Sequence, residues 1–166
     1  MRRITGLLPL ALLAAGASGC ACLHGAGDAA RTAAPRRVIH TDRAPAALAT
    51  YSQAIEVGDT LYLAGQIGLD PATRELVPGG LEPEARRALE NCKAVLEAAG
   101  YTLRDVVQAQ VMLADIADYQ ALNQVYTTYF PAEPPARAAY AVAALPRGAR
   151  VEIVLTAVRT AKAVPR

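Results

Sequence analysis

The sequence predicts an α+β fold, a sheet of about six strands with two helices packed on one face. Three observations carry this. Short apolar segments of strand length recur at Val38–Thr41, Ala54–Val57, Thr60–Ile67, Val106–Leu113, Ala136–Ala144 and Arg150–Arg159. Two other stretches show helical spacing of their apolar residues. The last strand is apolar on both sides, with Val151, Ile153, Leu155 and Ala157 on one and Glu152, Val154, Thr156 and Val158 on the other. Helices can cover only one of those sides, so the second calls for another subunit.

The elements follow in order. MRR, the apolar run ITGLLPLALLAAGA and ASGC match an export signal over residues 1–19. Left uncleaved, the same residues would form an N-terminal membrane anchor. Cys20, directly after Ala17-Ser18-Gly19, resembles the lipidated first residue of a lipoprotein. The expectation is therefore an exported, periplasmic protein whose membrane contact is that lipid anchor. Residues 20–37, with GAGDAARTAAPRR, are small, polar and aperiodic, and read as a flexible tether. Residues 38–162 have the length of one domain.

Within it, Val38–Thr41 is an expected edge strand, and Gly58-Asp59 joins the next two strands as a hairpin. A loop runs from Asp70-Pro71 to Pro78-Gly79-Gly80. Leu81–Ala99 places Ala85, Ala88, Leu89, Cys92, Val95 and Leu96 on one helical face, with Glu82–Arg86, Arg86–Glu90 and Lys93–Glu97 facing solvent. Gly100 ends it. The second helix runs from Asp118, an expected N-cap, to Phe130, with Tyr119, Leu122, Tyr126 and Tyr129 as its apolar stripe. Pro146-Arg147-Gly148 joins the last two strands.

Composition narrows the chemistry. Arg2 and Arg3 account for the whole excess of 17 basic over 15 acidic residues. No basic stripe remains for nucleic acid. The 3 cysteines make no disulfide framework. Cys92 reads as a buried thiol, and the Cys20-Ala-Cys-Leu-His24 cluster lacks a fourth ligand for zinc. His24 and His40 precede the domain body and Ser52 is its one serine, so a Ser-His-Asp triad cannot be assembled. No Walker loop or G-x-G-x-x-G is present, and no cofactor is expected.

Carboxylates, arginines, tyrosines and amides remain. Glu152 alone lies mid-strand between apolar residues. Burial would raise its pKa toward that of a general base, while a wet or salt-bridged strand edge would leave it ordinary. Arg137 fits a bidentate carboxylate clamp, or a structural partner across a subunit interface. A turn centred on Pro146-Arg147 would pair Ala141 with Glu152 and put Arg137 on the same face, about 13 Å along. A bulged turn at Gly148 would set the two charges on opposite faces. The sequence leaves both open.

The stretch PARAAYAVAALPRGARVEI resembles the signature of the Rid family, also called YjgF/YER057c/UK114. The resemblance extends through Ala44-Pro45-Ala46, Tyr51, AGQIGLDP (Ala64–Pro71), ENCKAVLEAAG (Glu90–Gly100) and the Asn123–Phe130 helix to Arg159. It implies a chorismate-mutase-like six-stranded mixed sheet and a homotrimer with sites in the clefts between subunits. It also implies hydrolysis of 2-imino acids and their enamine tautomers, such as 2-iminopropanoate and 2-iminobutanoate, to 2-keto acids and ammonia without metal or cofactor. By position, it makes Arg137 the carboxylate clamp and Glu152 the group that activates water. Tyr51, Gly65, Asn123 and the backbone of Ala139 become substrate-binding positions. Ala138-Ala139 replaces the Ser-Cys of many members. Two other readings attach to the family, a non-catalytic ligand-binding or chaperone-like trimer and a ribonuclease or translation inhibitor. Balanced charge and the missing histidine weigh against the last.

Overall fold

The computed structural model describes residues 34–47 and 49–159. Seven strands form one sheet: β1 (Arg36–Ile39), β2 (Ala54–Val57), β3 (Thr60–Leu63), β4 (Gln66–Ile67), β5 (Val106–Leu113), β6 (Ala136–Ala141) and β7 (Val151–Val158). Two helices, α1 (Leu81–Ala98) and α2 (Tyr119–Tyr129), interrupt them. The sheet order is β1-β2-β3-β7-β5-β6, and β4 pairs with β7 beyond the end of β3. All pairs are antiparallel except β5–β6, which is parallel and joined through α2.

The architecture agrees with the expected α+β sheet, with three changes of detail. The first strand begins at Arg36, inside the expected tether. The expected strand Thr60–Ile67 breaks at Ala64-Gly65 into β3 and β4, which makes seven strands of the expected six. Asp118 does not cap α2 with its side chain; Arg150 grips that carboxylate at 2.7 Å, and Asp115 caps the preceding 3-10 turn by accepting from the Ala117 N–H.

The larger correction concerns β6 and β7. They form no hairpin, because β5 lies between them. The crossover through α2 sets β6 on the far side of β5, and Val142–Arg150 carries the chain around the end of β5. Bonds from the Val142 N–H to Leu113 O and from the Ala114 N–H to Arg150 O, both 2.9 Å, hold that passage. Both turn-based registers for Arg137 and Glu152 therefore fall away.

The core lies between the sheet and α1. Val151, Ile153, Leu155 and Ala157 of β7 face it at zero exposure, with Ala109, Val111 and Leu113 of β5 and Leu89, Cys92, Val95 and Leu96 of α1. Cys92 is an inert core thiol, pushed far up in pKa by burial. α1 ends in a Schellman arrangement: Gly100 takes φ 82, the Tyr101 N–H reaches Leu96 O at 2.9 Å and the Gly100 N–H reaches Glu97 O at 3.0 Å. On the other face of β7, Glu152, Val154, Thr156 and Val158 are only half-buried. Tyr62, Tyr140 and Val38, on the same side, are 53%, 42% and 54% exposed. That face is largely apolar, interrupted by Gln108, Gln110 and Glu152, and no helix of the described residues lies over it.

A second mid-strand glutamate, Glu56 of β2, faces the core side. Arg37 Nε donates to it at 2.6 Å, the Tyr101 hydroxyl at 3.2 Å and Arg159 at 3.3 Å. The Arg37 hydrogen bond holds its carboxyl below the usual carboxylate range. A lowered folded pKa gives stability that is present above the unfolded value and lost as pH falls through the folded one. Glu56→Gln should melt at a lower temperature than the parent at pH 7, and thermal melts should show the gap closing below about pH 4. A gap independent of pH would contradict this.

Candidate active site

The register along β5 places the two charges singled out in the sequence. Ala109 lies opposite Arg137, and Met112 lies opposite both Tyr140 and Glu152. Neighbouring strand residues alternate faces, so positions three apart are opposed. Within one chain, Arg137 points to the helix side and Glu152 to the open face.

Glu152 sits in a cleft of about 400 Å³, within the range that holds small ligands. Tyr51, Gly65, Pro45, Ile67, Pro146 and Arg147 are among the residues lining it. The break between β3 and β4 makes room for the carboxylate. A Cβ on Gly65 would lie 1.8 Å from Glu152 Oε1, so any larger residue there would push the carboxylate out of its place. The buried carboxamide of Gln53 fixes the Pro45 wall, accepting from the Thr41 N–H at 2.7 Å and donating to Thr41 O and Pro45 O at 2.9 Å. Tyr51 stands at the rim, half exposed. Glu152 has no hydrogen-bond or ion-pair partner among the described residues, and burial alone pushes its carboxyl above the usual range.

Arg137 has a different setting. Its guanidinium donates to Asn123 Oδ1 at 2.7 Å and to the Tyr119 hydroxyl at 3.3 Å, and lies 4.5 Å from the centre of the Tyr126 ring. No carboxylate is within ion-pair distance of it among the described residues. Asn123 thus holds the arginine, and the tyrosines supply the π faces that a cation accepts in place of a counter-ion. Burial raises Tyr126 to about 12 against the opposing influence of Arg137, and its hydroxyl has no hydrogen-bond partner among the described residues. Ala139, two residues along β6, shares the Arg137 face and packs on the core.

The candidate residues thus divide. Glu152, Gly65 and Tyr51 share the cleft; Arg137, Asn123 and Ala139 share the opposite side of the sheet. Tyr119 and Tyr126 belong to the apolar stripe of the sequence, yet Asn123 lies between them at helical spacing and marks a polar face. Arg147 and Gln53 carry no signal of their own in the sequence beyond a turn and a strand start.

The Endoribonuclease L-PSP family model matches residues 41–159, most of the described chain. The chain belongs to this family, the Rid family. It is RidA-like: it is 53% identical over 124 residues to the 2-iminobutanoate/2-iminopropanoate deaminase of Mus musculus, covering 75% of this chain and 92% of the relative. A RutC family protein of the archaeon Saccharolobus solfataricus is 48% identical over 122 residues, 74% of this chain and 97% of its own. The crystal structure of RidA from an Antarctic Psychrobacter superposes with a TM-score of 0.72 at 48% identity, covering 74% of this chain and 99% of that one.

These relatives correct the expectation of an exported periplasmic lipoprotein. Mammalian and archaeal proteins share the domain over 90% and 97% of their own lengths, which points against export. The export reading rested on the anatomy of residues 1–20, with MRR, a short apolar run and ASGC, and it is withdrawn together with lipidation at Cys20. Both lie outside the described residues. Among the described residues no helix is long and apolar enough to cross a membrane.

A raised folded pKa makes ionised Glu152 a destabilising group above that pKa, an effect absent below the unfolded value of about 4.3. Glu152→Gln should therefore melt higher than the parent at pH 7 and at the same temperature at pH 3. A variant that melts lower at pH 7 would show that the carboxylate has a stabilising partner.

Proposed function

We propose that the chain is a 2-imino acid deaminase whose site is completed by a second copy of itself in a trimer. The observation that carries this is the half-buried, unpartnered Glu152 facing a ligand-sized cleft, in a chain about half identical to proteins named 2-iminobutanoate/2-iminopropanoate deaminase. The uncovered apolar face of the sheet favours a closed ring of copies over a monomer. In such a ring Arg137 of one copy supplies the anion-binding half, and Glu152, Gly65 and Tyr51 of its neighbour supply the cleft.

The chemistry suits this inventory. The C2 carbon of an iminium is already electrophilic, so no enzyme nucleophile is required. Arg137 holds the carboxylate through two parallel N–H donors. Glu152, poised by its raised pKa, takes a proton from water as the oxygen bonds to C2. The proton returns to nitrogen, Glu152 takes the hydroxyl proton as the C–N bond breaks and C=O forms, and the departing ammonia picks up that proton and leaves the 2-keto acid as ammonium. Asn123, Tyr119 and Tyr126 keep the guanidinium in place, and Gly65 keeps the carboxylate free. A ribonuclease reading finds no support in a cleft that sets an unpaired carboxylate beside a single arginine and has no histidine in its lining.

Steady-state assays on 2-iminopropanoate generated in situ test the assignment, on variants that keep the parent's assembled mass. Arg137→Ala should lose about 30- to 1,000-fold in kcat/KM, and Arg137→Lys most of that, because a point charge cannot replace the fork. Glu152→Gln should lose about 100- to 10,000-fold, mainly in kcat. Near-parent rates in both folded variants would make these charges structural.

A further inference from the structure

We propose that Arg147 is a specificity residue that favours 2-imino dicarboxylates, by binding the second carboxylate of a substrate whose first is held by Arg137. The inference rests on the deaminase reading and names its substrate class.

Arg147 lines the same cleft as Glu152. Its backbone takes φ 60 and ψ 13, in the left-handed region that suits glycine. The turn holds it there: the Gly148 N–H reaches Leu145 O at 3.2 Å and the Ala149 N–H reaches Pro146 O at 3.1 Å. A turn with proline at its second position and positive φ at its third normally carries glycine or asparagine at that third place. Arg74 and Glu133 also have positive φ, but neither lines the cleft. Strain of this kind persists where the surrounding structure over-determines it, and it clusters at ligand-binding sites.

The guanidinium is exposed and has no hydrogen-bond or ion-pair partner among the described residues. Nor does it neutralise Glu152, whose carboxyl is shifted by burial alone. One cleft thus holds a free cation and a free carboxylate that do not satisfy each other, among walls such as Pro45, Ala46, Ile67 and Pro146. A monocarboxylate substrate has one anion, and Arg137 takes it. Arg147 is then surplus unless the side chain of the substrate carries a second. The reaction at C2 is unchanged: the oxygen of water bonds to C2, the C–N bond breaks, ammonium leaves, and a 2-oxo dicarboxylate remains.

The test compares kcat/KM for 2-iminosuccinate and 2-iminopropanoate, each generated in situ by an amino-acid oxidase with catalase present. The full-length parent is set beside Arg147→Gly and Arg147→Lys. Glycine takes the turn geometry without strain, so Arg147→Gly keeps the fold. The parent should hydrolyse both substrates. The dicarboxylate-to-monocarboxylate ratio should fall about 10-fold or more in Arg147→Gly and less in Arg147→Lys, which keeps the charge without the fork. A parent inactive on 2-iminosuccinate but active on 2-iminopropanoate overturns this inference alone. So does an unchanged ratio in Arg147→Gly, whether both rates fall together or neither does. A parent inactive on both overturns the deaminase reading and this inference with it.

Discussion

Strand β5 runs antiparallel to β7 and parallel to β6, buried between them on its helix side. Because side chains alternate along a strand, its pairing decides which way every residue of its neighbours points. Arg137 is set opposite one position of β5 and Glu152 opposite another three residues away, and no rotamer change can bring them to one face. Core packing enforces this register, since a one-residue slip would turn Val151, Ile153 and Leu155 out to the open face. A chemistry that uses both charges together therefore needs two chains, and the uncovered apolar face is where a second chain has something to gain.

The treatment of charge separates scaffold from site. Glu56 and Glu152 are both strand glutamates flanked by apolar residues. Glu56 is held by Arg37, Arg159 and Tyr101, and its carboxyl is driven down. Glu152 has none of these and is driven up. The arginines divide likewise: Arg37, Arg43, Arg150 and Arg159 meet carboxylates, whereas Arg137 rests on tyrosine faces and an amide oxygen. Half-buried charges kept from partners of their own chain are costly to fold and useful to a ligand.

Local features of the fold were legible in the sequence, and the long-range ones were not. The apolar period of α1, its end at Gly100 and the Gly58-Asp59 hairpin are set by residues within one turn of one another. The β6–β7 hairpin was a misreading of Pro146-Arg147-Gly148, a real turn that bends the chain around β5 and not back onto β6. The role of Glu56 has no local signature because its partners lie 19, 45 and 103 residues away. The candidate residues were legible as types, an arginine and a glutamate among apolar neighbours. Their division between two faces belongs to strand order, which no local pattern encodes. The role of Asn123 as the holder of Arg137 likewise appears only when α2 and β6 are seen together.

The central claim is that Arg137 and Glu152 act together from different copies of the chain. Co-expressing Arg137→Ala and Glu152→Gln subunits, each inactive alone, tests it directly. In a closed ring of three, every mixed trimer regains one site with both charges intact. Random mixing should therefore restore about a quarter of the parent's 2-iminopropanoate hydrolysis, since about three-quarters of the trimers are mixed and a third of their sites are whole. Mixed trimers with no more activity than the separate variants would mean that the two residues do not meet across copies, and the account would fail.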